Sequence, residues 1–267
     1  MGVILPTTPA VDAACKELET AVGRFLDARR TLPVLGKYES ELEALNLFYL
    51  ALRDVEGVIT LGRSDLVLLP PAVAAARAAF ESGVKSAWLV DADDHYGREV
   101  RWLAHLAGEE RLYKRLGQRL AELGENSGTA NEREESINRF RTAVAQKLPD
   151  KFKELSRFPS FDQMLTSIGG QNLYAVYVHL SQFMHGEHAA TWLYRSGGLG
   201  TEKRLGEFIQ PAHWYLPLRV SWLSLVHPGR LLISRLGGDP EVFMNRWQET
   251  EGISAIERVK LAVSELH

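Results

Sequence analysis

Apolar residues recur along most of the chain at the spacing of one helix face. After Thr8-Pro9, a capping residue followed by proline at the first helical position, Val11, Cys15, Leu18, Val22, Phe25 and Leu26 form a first stripe that Leu32-Pro33 ends. From about Ser40, Leu42, Leu45, Phe48, Leu52 and Val55 share a second face. Gly62-Arg63-Ser64-Asp65 reads as a loop. Pro70-Pro71 then opens a third helix reaching about Val90, with Val73, Ala76, Phe80, Val84 and Trp88 as its stripe. Ala72, Ala74, Ala75, Ala78 and Ala79 widen that stripe, which predicts a central helix packed on several sides.

Beyond the acidic turn Asp91 to Asp94, a long helix is expected to about Leu123, burying Val100, Leu103, Ala107, Leu112, Leu116, Leu120 and Leu123. Gly124 to Ala130 is a connection, and Asn131 to Leu148 a further helix ended by Pro149. Ser160-Phe161-Asp162-Gln163 has capping-box spacing, with Gly169-Gly170 as the stop. Gln171 to His185 is the next helix, and Gly186 permits a stop or kink. The segment near 191–209, with Trp192-Leu193-Tyr194 and Gly197-Gly198-Leu199-Gly200, allows one small hairpin or ordered loop. His213 to Leu236 predicts a helix broken at Pro217 and Pro228, and short helices at Pro240–Gln248 and Ile253–Leu266 close the chain.

No repeat stands out at solenoid periods of about 33 to 47 residues, and no low-complexity linker divides the chain. The expected fold class is therefore all-α: a single multi-helix bundle with long antiparallel helices, one domain over 1–267. Its motif-bearing core spans about 70–194 and a C-terminal helical layer about 210–267.

Charge narrows the partners. A formal net charge of −3 carries no duplex-DNA signature, because phosphate neutralisation calls for a strongly basic balance. A local basic patch around Lys147, Lys151, Lys153 and Arg157 still leaves RNA as a candidate partner. The single cysteine, Cys15, has no internal disulfide partner, which suits a reducing compartment. With no signal peptide and no apolar run of about 20 residues, the expectation is a cytoplasmic protein with no membrane span.

Phosphate loops, dinucleotide glycine fingerprints, Cys-x-x-Cys pairs and His-Glu-x-x-His helices are all absent, so no cofactor is expected. Tyr177, Ser181 and His185 stand at i, i+4 and i+8 and share one helix face. A phenol, a hydroxyl and an imidazole so arranged can hold a ligand or serve proton transfer near neutral pH. They lie among Leu173, Val176, Leu180, Phe183 and Met184, where the same stripe also serves as a satisfied polar seam. Arg77, Glu81 and Lys85 repeat that spacing beside Phe80, Val84 and Trp88. Glu81 is therefore expected to be partly buried, with Arg77 or His185 as its partner.

His185 and His188 are i, i+3 with Glu187 between them, a weak metal alternative, while His179 points about 120° away from His185. Arg98 and His105 form an arginine–histidine spacing, though Arg98, Arg101 and Arg111 read as a solvated basic edge. Trp214, Tyr215, Trp222 and Leu225 mark the aromatic C-terminal helix as either a homodimer face or a second core layer.

Two segments carry a resemblance. Ala76-Arg77-Ala78-Ala79-Phe80-Glu81, continuing to Trp88-Leu89, and Tyr177-x-x-Leu180-Ser181-x-x-x-His185-Gly186 resemble the paired signatures of a large bacterial family of helical proteins of unknown function, common in actinobacteria. With the helix order they cover most of Pro70 to Tyr194. The arrangement is also distantly similar to HEPN proteins, helical bundles that include ribonucleases of toxin and phage-defence systems. That resemblance implies a His-dependent ribonuclease or phosphodiesterase, with His185 transferring protons, Tyr177 and Ser181 orienting substrate and Arg77 clamping an anion. Only Arg98 and His105 fit the arginine–histidine spacing of those nucleases, and the polar residue they carry directly after the arginine is here Glu99, an acid beside a phosphate site. The remaining alternatives are a non-catalytic ligand- or partner-binding module and a metal-dependent hydrolase using His185 and His188.

Overall fold

The computed structural model describes residues 4–33, 35, 37–150, 158–186, 188–196, 204–206, 208–244 and 255–261. Within them the protein is all-α, a helical bundle with one two-residue strand pair. Helix α1 (Pro9–Arg29) begins where Thr8 Oγ1 accepts from the Val11 N–H at 3.3 Å, with Pro9 in the first turn. Helix α2 (Glu39–Ser64) runs on through the expected loop at Gly62 and stops at Asp65. The reason is tertiary. A Cβ at Gly62 would lie 3.0 Å from Trp214 Cζ3 and 3.4 Å from Cys15 Sγ, so the glycine serves close packing rather than a turn. Asp65 ends the helix, and its Oδ1 accepts from the N–H groups of Leu5 and Val67.

Helix α3 (Leu69–Val90) is the central element, as its alanine-rich pattern predicts. It packs on α2 and on α9 (Tyr215–Arg235), and Ser86 Oγ donates to the Ala44 carbonyl of α2 at 2.7 Å. Phe80, Val84, Ala87, Leu89 and Val90 are all buried. Each large apolar side chain so buried contributes roughly 1.5–3 kcal/mol. Helix α9 is continuous rather than broken. Pro217 lies in its first turn, where no intrahelical donor is lost, and Pro228 is accommodated inside it. Pro228 deprives the Ser224 carbonyl of its usual i+4 donor, and α3 closes on that carbonyl at Gly83, where a Cβ would sit only 2.7 Å away.

Of the two readings of the C-terminal helix, its contacts are those of a second core layer. Trp214 and Leu225 are fully buried, Tyr215 and Trp222 are half-buried against the core, and α9 lies between α3 and α1. Trp214 Nε1 donates to the Leu66 carbonyl at 2.9 Å, fixing the ring in the interior.

Helix α4 (His95–Glu122), capped by Asp94, pairs with α5 (Gly128–Ala145) as a helical hairpin. Its buried set is Trp102, Leu103, Ala104 and Gly117; the expected burial of Leu112, Leu116 and Leu123 is corrected, since all three are exposed. Arg141 ties the two helices by donating to the Leu103 carbonyl and pairing with Glu110. The short α6 (Phe161–Ser167) starts at the expected capping box of Ser160 and Gln163. Helix α7 (Tyr174–Met184) ends before Gly186, whose φ of 63° makes the stop.

Helix α8 (His188–Thr191) leads to strands β1 (Arg195–Ser196) and β2 (Arg204–Leu205), which pair antiparallel as the small hairpin expected there. Short helices α10 (Pro240–Met244) and α11 (Ala255–Leu261) pack on α1. One hydrophobic cluster runs from Val11 to Val259. Among the described residues no helix is long and apolar enough to cross a membrane.

Candidate functional site

Arg77 joins the two sequence motifs. On α3 its Nε donates to Glu81 Oε1 at 2.9 Å, and across to α7 its Nη2 donates to Tyr177 Oη at 3.3 Å. The guanidinium also lies 5.0 Å from the centre of the Tyr177 ring, within reach of the attraction between a cation and an aromatic face. Phe161 of α6 packs on the same ring at 4.3 Å and meets Phe80 of α3 edge-on, so three helices hold the phenol. Glu81 takes Lys85 as its second cation, 3.8 Å from Oε2. The Arg77 side chain is 14% exposed and that of Glu81 28%, so the carboxylate keeps contact with solvent. Spacing on α3 dictates the Arg77–Glu81–Lys85 ladder; packing of α7 on α3 supplies Tyr177.

The rest of the stripe has different duties. Ser181 Oγ donates to the Tyr177 carbonyl at 2.9 Å, a bond within its own helix. His185 is the C-cap of α7 and is exposed, its backbone N–H returning to Ser181 O at 3.1 Å. Among the described residues its ring makes no hydrogen bond or ion pair, and Glu81 is paired with Arg77 and Lys85 instead. Eight residues of helix put His185 about 12 Å along the axis from Tyr177, so Arg77 and His185 do not form a compact pair. Glu187 and the side chain of His188 lie outside the described residues, as do Lys151, Lys153 and Arg157. No group of three or more metal-ligating side chains occurs among the described residues.

Arg98 and His105 both face α2 and meet different acids. Arg98 Nε donates to the Ala92 carbonyl at 3.3 Å and its guanidinium lies 3.8 Å from Glu41. Burial pushes the Glu41 carboxyl above its ordinary range, against the pull of Arg98. Glu99 caps the start of α2 by accepting from the Ser40 N–H at 3.0 Å. His105 Nε2 stands 3.4 Å from Glu43 and Nδ1 is buried without a partner among the described residues. Arg101 donates to the Trp88 carbonyl and faces Asp91; burial pulls its guanidinium below its ordinary value. Arg98 and Arg101 are thus clamps at the corner of α2, α3 and α4 rather than a solvated basic edge, whereas Arg111 is exposed as that expectation has it.

His105 and Lys85 also line an open groove of about 790 Å³ between α3 and α4. Sequence spacing misses this feature, because Glu43, Lys85 and Phe158 reach His105 from three other segments. The adjoining Lys114-Arg115 pair is its only local sign.

The fold and the Arg77–Tyr177 junction define a helical-bundle protein whose two motifs meet in one structural unit. The chain belongs to DUF5677, a family of unknown function, whose model matches residues 44–199, more than half of its length. No curated protein and no solved structure matches it.

Proposed function

We propose that the protein is a non-catalytic binding module whose recognition surface is helix α7. The observation that carries this reading is the exposure of an apolar helix: α7 has no Asp, Glu, Lys or Arg, yet Tyr174 is 39% exposed, Val178 43% and Met184 51%. Tyr174 and Val178 stand at i, i+4 on one face, and apolar side chains left together in water mark an interaction site. Arg77, locked to Glu81 and Tyr177, anchors the helix from behind, so the surface is held rigid. The partner that fits is a protein with an apolar helix or strand edge, since α7 offers no charge to an ionic ligand.

The alternative is a HEPN-like, RNA-cleaving protein of a stress or defence pathway, with His185 as the proton-transfer group. It has less support, because Arg77 is already engaged twice and His185 has no partner among the described residues. Two measurements separate the readings. Incubated with a pool of RNAs, wild type and His185→Ala are expected to leave the RNA intact; cleavage by wild type that His185→Ala abolishes makes it an enzyme. Proximity labelling in cells is expected to mark a partner with wild type and lose it with Val178→Glu/Met184→Glu. Equal labelling by both removes α7 as the surface.

A further inference from the structure

The α3–α4 groove lies apart from α7, none of whose residues lines it. Its cations are Lys85 from α3 and Arg111, Lys114 and Arg115 from α4, against two carboxylates, Glu43 and Glu109. Glu109 is paired away from the groove, 3.7 Å from Arg133 Nη2, and Glu43 lies 3.4 Å from the His105 ring. One cation, Lys85, is shared with Glu81 Oε2 at 3.8 Å, while the three on α4 are open. Among the described residues Lys114 and Arg115 have no ion pair, and Arg111 spends only its Nε, on the Ala107 carbonyl at 3.2 Å. On a chain of net charge −3, so local a positive surplus attracts anions to this groove rather than to the protein at large.

Shape adds a second condition. The groove's volume of about 790 Å³ falls within the size of small-molecule sites, roughly 300–1,000 Å³. Its wall is apolar at Leu112 and Phe158, and the Phe158 ring is fixed by edge contacts to Trp88 at 6.0 Å and to His105 at 5.6 Å. Arg111 to Arg115 spans only about 6 Å of helix axis, a reach suited to two or three linked phosphates rather than to a long strand. We propose that this groove binds a nucleoside polyphosphate, with Lys85, Arg111, Lys114 and Arg115 on the phosphates and the planar base against Phe158 and Leu112. Flexible, solvated lysines and fork-shaped arginines are the side chains that take phosphate oxygens.

The test uses the full chain and a fluorescent N-methylanthraniloyl derivative of ATP, with unlabelled competitors. Saturable binding is expected, displaced by ATP and by tripolyphosphate, while adenosine competes at least about tenfold less well. The exposed pair Lys114→Glu/Arg115→Glu weakens binding by about tenfold or more at unchanged melting temperature, and so does rising salt. Arg115→Ala alone, a milder change, weakens it in the same direction. Three results overturn the proposal: no binding of the probe at about 1 mM, unchanged affinity in both variants, or displacement by an oligouridylate but not by tripolyphosphate. The last identifies an RNA site instead.

Discussion

Helix α3 and the outer half of α4 carry equally regular apolar stripes and meet opposite environments. Phe80 and Val84 of α3 are 1% exposed, while Leu112, Leu116 and Leu123 of α4 are 54%, 44% and 75% exposed. Both segments are helical, because amphipathic spacing and capping are enough to specify a helix. The difference lies in what covers them. Helix α3 is enclosed by α2 and α9, whereas among the described residues α4 beyond Ala104 packs on α5 and on Phe158 at Gly108 and leaves its apolar outer face uncovered. An apolar period therefore says which residues share a face, and says nothing about whether a partner exists for that face.

Phe80→Ala should lower unfolding free energy by about 3–5 kcal/mol, as lost transfer energy adds to the cavity left behind. Leu116→Ala should stay within about 0.5 kcal/mol, as an exposed substitution does. Equal losses in denaturant titrations of the two variants would mean that the outer half of α4 is covered in solution.

Helix α3 is central because α9 approaches it closely at Gly83. Gly83→Ala pushes a Cβ into the Ser224 carbonyl, and overpacking of this kind costs about 1–3 kcal/mol. Gly23→Ala on α1 meets nothing within 4 Å and should instead gain up to about 1 kcal/mol from helix propensity. Thermal melts of both variants test the pair, and a stabilised Gly83→Ala would show that the α3–α9 approach is looser than described.

The smallest effect concerns a seam between these extremes, where α11 docks on α1. Burial raises the Glu17 carboxyl above its ordinary value of 4.5, opposed by the Ile256 N–H that donates to it at 3.2 Å. The folded state therefore binds its proton more readily than the unfolded chain. Ionised Glu17 opposes folding above its folded pKa, and that opposition fades as pH falls through it. Glu17→Gln should flatten this part of the stability profile in the mildly acidic range, with the gain seen at neutral pH. An unchanged slope in melts across that range would show that Glu17 is solvated in the folded protein.

Much of the secondary structure was legible in the sequence. Thr8-Pro9, the Ser160–Gln163 capping box, Gly186 and the hairpin near 191–209 stand where their local chemistry predicts. The failures share a cause. Gly62 reads as a loop residue but serves the approach of Trp214 and Cys15, and Pro217 and Pro228 read as breaks but are absorbed in α9. In each case a contact far along the chain overrides a local preference.

The candidate site divides the same way. Arg77 and Glu81 pair across one helical turn, so their contact follows from spacing alone. Arg77 and Tyr177 are 100 positions apart, and His105 meets a glutamate of α2 that no spacing connects to it. The existence of the helices, the capped starts at Thr8 and Ser160 and the residues that share each face follow from the sequence, because caps and i, i+4 neighbours act within a few residues. Only the tertiary structure decided which stripes are covered, which partner Glu81 takes, and that His185 faces water. Those outcomes depend on how whole helices pack, and packing is settled by the sum of many weak contacts between distant segments.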